Sequence, residues 1–202
     1  MRISEAISHP AIIGELSGQS FNDVQLDIGC GRGEFLIAAA SQAATSAYIG
    51  VEVNQNTHET TLRKLTYANL SNASTICDEG LYFIESYVKS NSIRNVHVYF
   101  PTPYIKPLNQ NNSVVKKLTS ILLVHNFFFQ CRRILAPGGS VRIVSDHLSY
   151  IRRARSAALE IGLHEVPWTS PINCKTISHL IGTGCEIEMI NNGKAIYSIQ
   201  LT

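Results

Sequence analysis

The chain has 202 residues, of which 45% are hydrophobic and 16% charged, with a formal net charge of +2. That balance suits one globular domain over 1–202 and excludes a disordered chain. A charge so near neutral permits an RNA partner without calling for one, because strong nucleic-acid binders carry a denser Lys and Arg surface.

The stretch 120–129 contains His125 and Asn126 and falls well short of the ~20 residues of a membrane span. Residues 1–6 lack the apolar segment of a signal peptide, so cytoplasmic residence is expected. Five cysteines, odd in number and without a C-x-x-C pair, read as reduced packing thiols. His97, His125, His147, His164 and His179 show no ligand spacing, so no metal is expected.

In chain order, a buried strand at 24–28 runs into a glycine turn, and a helix follows over 34–42. Then come a strand at 47–52, a helix over 55–70, a strand at 74–77, a helix over 81–90 and a strand at 96–100. A polar loop leads to a helix over 118–135, a Pro137-Gly138-Gly139 turn, a strand at 140–145 and a helix over 148–161. Residues 167–176 resemble a linker. The end reads as a hairpin: strands at 186–190 and 194–201 flank Asn191-Asn192-Gly193. Five β-α units and a C-terminal antiparallel hairpin predict an α/β fold with a mainly parallel sheet covered on both faces.

The most informative segment is Asp27-Ile28-Gly29-Cys30-Gly31-Arg32-Gly33-Glu34. Glycines accept positive φ and let a ligand approach the backbone. The dinucleotide fingerprint does not fit, because the third glycine falls one residue early. This D-x-G-x-G-x-G turn resembles the first motif of class I S-adenosylmethionine-dependent methyltransferases and implies their Rossmann-like sheet. Ligands of open α/β sheets sit beyond the carboxyl ends of the strands, so the polar residues there form a group. Glu52, about 20 residues past the turn, is placed to accept ribose hydroxyls, against a solvated strand-end acid. Asp78 is placed to accept the adenine amine, or else to cap a helix. Asp27 can bond loop amides or, through water, the cofactor's amino group. Gly29, Cys30, Gly31, Val53, Glu79 and Phe100 complete the expected S-adenosyl-L-methionine site. Phe35 and Leu36 read as core. Arg32 is either a surface residue or a substrate contact.

From Gln25 to Arg153 the chain resembles the bacterial tRNA (guanine-N7)-methyltransferases. The resemblance rests on the glycine motif, on Tyr48-Ile49-Gly50-Val51-Glu52-Val53, and on Phe100-Pro101-Thr102-Pro103-Tyr104-Ile105-Lys106. Leu135-Ala136-Pro137-Gly138-Gly139 and Ser145-Asp146 extend it. The departures fall on the acceptor side. Thr102 stands for the loop acid and Tyr104 for its tryptophan, while 107–112 replaces a basic run with Pro, Leu, Asn and Gln. The family's late Thr-x-Phe/Tyr-Glu motif finds only Lys175-Thr176-Ile177-Ser178, without the acid.

Loss of basic residues weakens sequence-independent attraction to phosphate. The expected activity is therefore methyl transfer to a ring nitrogen of a small purine-like heterocycle. The tRNA guanine-N7 reaction is the alternative, with RNA held through Arg152, Arg153 and Arg155, which could equally form a solvated helix face, and a non-catalytic scaffold is a third reading. A ring nitrogen needs alignment rather than deprotonation. Tyr104, Asp146 and Thr102 are the expected catalytic positions: Tyr104 can stack on the ring and Asp146 can accept a ring or amine hydrogen, while Lys106, which can bond a carbonyl, and His147 complete the expected substrate contacts.

Overall fold

The computed structural model describes residues 1–101, 125–174 and 179–202. Among these described residues, seven strands form a single sheet in the order β3-β2-β1-β4-β5-β7-β6. β1 (Asp23–Ile28) lies centrally, parallel to both β2 (Ser46–Glu52) and β4 (Ile93–Tyr99). β3 (Ala73–Cys77) extends the sheet from β2, and β5 (Leu135–Ser145) extends it from β4, both parallel. β7 (Tyr197–Leu201) runs antiparallel to β5 and to the two-residue β6 (Glu165–Val166). The chain winds one way from β1 through β2 to β3 and the other way through β4 and β5, which puts the switch point between β1 and β4.

Burial of both faces explains why the parallel strands read as apolar runs. On one face, Val24, Leu26, Ile49, Val51, Val96 and Val98 pack against α5 (Gly80–Tyr87), α6 (His125–Ile134) and α7 (Leu148–Glu160) through Phe83, Phe127, Phe128 and Ile151. Two short helices, α1 (Ile3–Ala6) and α2 (Pro10–Glu15), add Ile3, Ala6 and Ile12 to this core. On the other face, α3 (Glu34–Gln42) and α4 (Gln55–Tyr67) cover Tyr48 and Ala73 with Phe35, Leu36, Ala39 and Leu65.

Most expected elements are present. The turn at 137–139 is absorbed into β5 as a register shift against β4. The described part of the helix expected over 118–135 is α6; its first turns lie outside the described residues. The C-terminal hairpin needs correction, because 186–190 belongs to a helix, α8 (Gly184–Asn191).

Local capping decides that outcome. Thr183 accepts a hydrogen bond from the Glu186 amide, and the buried Glu186 carboxylate accepts from the amides of Leu180, Ile181 and Gly182 at 2.5, 3.0 and 2.6 Å. At the far end Gly193 has φ 67°, its amide donates to the Ile190 carbonyl, and the Lys194 amide donates to that of Met189. The Asn-Gly pair therefore ends a helix by a left-handed cap instead of turning a hairpin. β7 finds its antiparallel partners in β5 and β6.

Candidate functional site

A cleft of about 330 Å³ opens at the switch point, over the carboxyl ends of β1 and β4. Asp27, Gly29, Cys30, Gly31, Glu52 and Phe100, all expected from sequence, line it. Arg32, Glu34, Phe35, Tyr99, Ile181, Thr183 and Cys185 complete the wall.

The glycine loop is shaped by its neighbours. The amides of Gly29 and Cys30 both donate to the Val51 carbonyl, tying the end of β1 to β2. The Gly31 amide turns toward the cleft edge and donates to Glu52 Oε2 at 3.0 Å, while the Asn54 amide donates to Oε1 at 2.8 Å. Glu52 is thus not a loosely solvated strand-end acid. It is a carboxylate held by two amides at the lip of the cleft, with lone pairs left for further donors. From α4, Thr61 Oγ1 donates to the Gly31 carbonyl at 2.7 Å and Lys64 Nζ to that of Arg32 at 2.9 Å. Gly33 has φ 73°, and a Cβ there would lie 2.4 Å from Thr61 Cγ2, so no side chain fits.

Asp27 is buried beneath the loop, and no described residue hydrogen-bonds its carboxyl. Burial, and then the charge of Glu52, raise its pKa to about 7. Of its two expected roles, bonding of loop amides is removed, because those amides turn to Val51 and Glu52. Cys30 contributes backbone. Its thiol packs near Gly50, where a Cβ would come within 2.8 Å of Sγ, and burial pushes the thiol's pKa up.

Val53, Asp78 and Glu79 do not line this cleft. They lie on the loops after β2 and β3, on the sheet edge beyond Glu52, and Val53 is 70% exposed. Glu79, not Asp78, caps α5, accepting from the amides of Leu81 and Tyr82 at 3.1 and 2.8 Å. Asp78 accepts only the adjacent Glu79 amide, so the capping role considered for it belongs to its neighbour.

Of the residues expected to contact the substrate, Asp146 directly follows β5 and is held by Lys194 Nζ at 3.2 Å, with His147 Nε2 at 3.7 Å from its other oxygen. Thr102, Tyr104 and Lys106 lie outside the described residues, as do the first helical turns expected at 118–124 and the whole of 175–178. The Thr-x-x-Glu spacing sought at 175–178 occurs at Thr183–Glu186, with Cys185 at the aromatic position. Its signal was a capping box, which the strand-like alternation of 186–190 concealed. Glu34 joins the two halves by accepting the Gly184 amide at 2.7 Å. Partial burial, and then Glu188, Glu34 and Asp146, raise the pKa of the Cys185 thiol.

Phe35 is both core and wall. Its ring lies 4.8 Å from Tyr99 in an edge contact and 4.7 Å from His97. The Tyr99 hydroxyl and His97 Nδ1 are 2.7 Å apart, and His97 Nε2 is 2.9 Å from Gln25 Oε1. Burial, reinforced by the Arg142 charge, lowers the His97 pKa well below its ordinary value, so this buried ring is neutral.

Chemically, the cleft combines close backbone approach with three carboxyl groups: Asp27, Glu34 and Glu52. Such a surface favours a ligand with hydroxyl donors, an ammonium and a cationic centre. S-adenosylmethionine, with its ribose, amino group and sulfonium, fits that donor and charge pattern. Fold and site together define a class I, Rossmann-like methyltransferase.

A methyltransferase family model described as "Putative methyltransferase" matches residues 22–199, and the chain belongs to this family. Among curated relatives, the tRNA (guanine-N(7)-)-methyltransferase of Rubrobacter xylanophilus is 26% identical over 149 residues, covering 73% of this chain and 60% of that protein. The enzyme of the same name from Francisella philomiragia is 28% identical over 129 residues, covering 64% and 53%. The chain therefore spans less than two thirds of the length of these relatives. The solved 16S rRNA methyltransferase KamB shares the fold, with a TM-score of 0.63 at 15% identity over 95% of this chain and 92% of that one. Among the described residues no helix is long and apolar enough to cross a membrane, and no His, Cys, Asp and Glu cluster could hold a metal ion.

Proposed function

We propose that this chain is an S-adenosylmethionine-dependent N-methyltransferase whose acceptor is N7 of a guanine in tRNA. The observation that carries this reading is the Glu52 carboxylate, tied to the Gly31 amide at the switch-point cleft of a chain whose named relatives are tRNA guanine-N7 enzymes. Glu52 binds the ribose hydroxyls, Asp78 the adenine amine with Val53 beside the ring, and ionised Asp27 the amino group of the methionine portion. The cofactor supplies an activated methyl group. The residues of this chain hold the donor, exclude water through the 181–185 wall and align the acceptor lone pair. Because N7 has no proton to lose, no strong general base is needed, which is compatible with Thr102 in place of the loop acid. Asp146 bonds the guanine edge, and the Lys194 contact fixes its carboxylate.

The small free heterocycle expected from the loop composition finds no support among the relatives, and tRNA replaces it as the favoured acceptor. Incubation with methyl-labelled cofactor tests the choice, with unmodified tRNA in one arm and free guanine and guanosine in the other. The expected product is 7-methylguanosine in the tRNA arm. Label only in the free-base arm overturns the acceptor, and no binding of S-adenosylhomocysteine at millimolar ligand overturns the cofactor reading and favours the scaffold.

A further inference from the structure

Nine of the thirteen described Lys and Arg residues already serve the protein itself. Arg133 and Arg142 donate to protein acceptors, Lys64 holds the Arg32 carbonyl, Lys194 holds Asp146, and Arg155 pairs with Glu165 at 2.7 Å. Among the described residues, the side chains of Arg2, Arg32, Arg152 and Arg153 make no hydrogen bond or ion pair, and all four are exposed. Arg2 sits ahead of β1, beside the Met1 ammonium that donates to Phe21, and so at the end of the sheet opposite the cleft. Arg32, in the glycine turn, lines the cleft, and Arg152 and Arg153 follow the carboxyl end of β5, at the same end of the sheet. Arg152 and Arg153 are the fifth and sixth residues of α7, which begins directly after the Asp146 and His147 end of β5.

Elementary geometry scales this arrangement. At 1.5 Å per residue, the two α7 arginines stand roughly 6–8 Å along the helix from its first residue. One strand, β4, separates β1 from β5, so Arg32 and the start of α7 flank the cleft from strand ends about 10 Å apart. Buried Tyr150, Ile151 and Ala154 fix the inward face of α7, which leaves Arg152 and Arg153 outward. No described carboxylate neutralises them, because Glu160 contacts His125 and Glu165 contacts Arg155. Exposed cations left uncompensated at the end of the sheet that carries the donor cleft are the pattern of backbone recognition, in which phosphate contacts position the strand and bring a base to the donor.

We infer that Arg152 and Arg153, with Arg32 across the cleft, bind RNA phosphates on either side of the nucleotide whose base enters the cleft. This rests on the tRNA reading of the acceptor. It locates phosphate affinity on the first turns of α7, in a chain whose sequence has Asn and Gln at 109–112 in place of the basic run of the family it resembles.

The test uses the full chain saturated with S-adenosylhomocysteine and a fluorescently labelled unmodified tRNA, titrated from 50 to 400 mM KCl. Removing one arginine–phosphate pair lowers the log–log salt slope by about 0.9, or roughly eightfold in affinity at 0.1 M salt relative to 1 M. The Arg152→Gln/Arg153→Gln variant is expected to bind tRNA roughly 10- to 60-fold more weakly at 0.1 M and to lose about 1.8 from the slope. Retained S-adenosylhomocysteine affinity shows that it is folded. Arg155→Gln removes one charge from the same helix but from a residue already paired, and is expected to stay within about twofold of wild type.

Unchanged affinity and slope in the double variant overturn the inference. Equal loss in Arg155→Gln, charge for charge, overturns it as well, because net charge then explains the binding. Wild-type protein that binds no tRNA also overturns it. Arginine-dependent binding without methyl transfer sinks the proposed reaction and keeps this surface, and methylation indifferent to both arginines does the reverse.

Discussion

Replacing Glu52 with Gln tests the donor site through two linked effects. In the native protein its carboxylate accepts from Gly31 and Asn54 at 3.0 and 2.8 Å, and its charge is the second cause, after burial, of the raised Asp27 pKa. Gln keeps the shape, removes the charge and sets an NH2 against one of the two amide donors. The ribose then loses a charged acceptor, which costs about 1–3 kcal/mol, or roughly a 5- to 150-fold weaker Kd. The same change lowers the pKa of Asp27 without restoring it to the ordinary carboxylate range, because burial, the larger cause, remains. Wild-type affinity for S-adenosylhomocysteine should rise with pH through about 7 as Asp27 ionises, since only the ionised form pairs with the ligand ammonium. In Glu52→Gln the rise should occur at lower pH. Isothermal calorimetry from pH 5.5 to 8.5 measures both quantities. A Kd within twofold of wild type at pH 8, or an unmoved inflection, refutes the assignment of Glu52 and its coupling to Asp27.

Other perturbations read the same structure. Asp27 binds its proton more tightly folded than unfolded, so ionisation opposes folding as pH rises from ~4 to about 7; Asp27→Asn should stabilise the ligand-free protein at pH 8 by up to ~4 kcal/mol in urea denaturation while abolishing tight cofactor binding. Gly33→Ala meets Thr61 Cγ2 at 2.4 Å with φ 73° and should cost about 2–4 kcal/mol. Adding Thr61→Ser, which removes that methyl and keeps the hydroxyl bonded to Gly31, should recover all but ~1 kcal/mol of backbone strain. Glu186→Gln weakens three amide contacts to a buried carboxylate and should destabilise by about 2–4 kcal/mol, with hydrogen exchange rising first at 180–182; unchanged protection there would show that the wall does not depend on this cap.

The donor half was legible because its determinants lie close together in sequence. Alternation to 28, the glycines at positive φ, the helix from Glu34 and the acid ending β2 each carry a local physical reason, and the structure unites them. Some residues were invisible for the opposite reason. Thr61 and Lys64 brace the loop from α4, about 30 residues away, and nothing in their own segment advertises it. α1 and α2 are four and six residues long, too short to show a helical period. At 186–193 two local codes competed. Glu-Ile-Glu-Met-Ile alternates like a strand and Asn-Gly suits a hairpin, yet Thr183 with Glu186 has the spacing of a capping box and Gly193 is a helix stop, and the buried Glu186 carboxylate, held by the amides of 180–182, settles which code prevails.

This difference in range also bears on how the protein divides its work. The donor site is closed by contacts between neighbouring β-α units, such as Gly31 to Glu52. The side proposed to receive the acceptor is assembled by contacts of longer range: Glu34 to the Gly184 amide, 150 positions apart, and Asp146 to Lys194, 48 apart. Replacement of Phe or Tyr by Cys185, or of a basic loop by Asn and Gln, can therefore change what enters the cleft without moving the residues that hold the donor. Glu34 is the exception, since it starts the helix behind the glycine loop and also anchors the start of α8. Loss of that one carboxylate, as in Glu34→Ala, should raise KM for RNA more than it weakens S-adenosylhomocysteine binding, and equal effects on both would show that the two halves are not separable in this way.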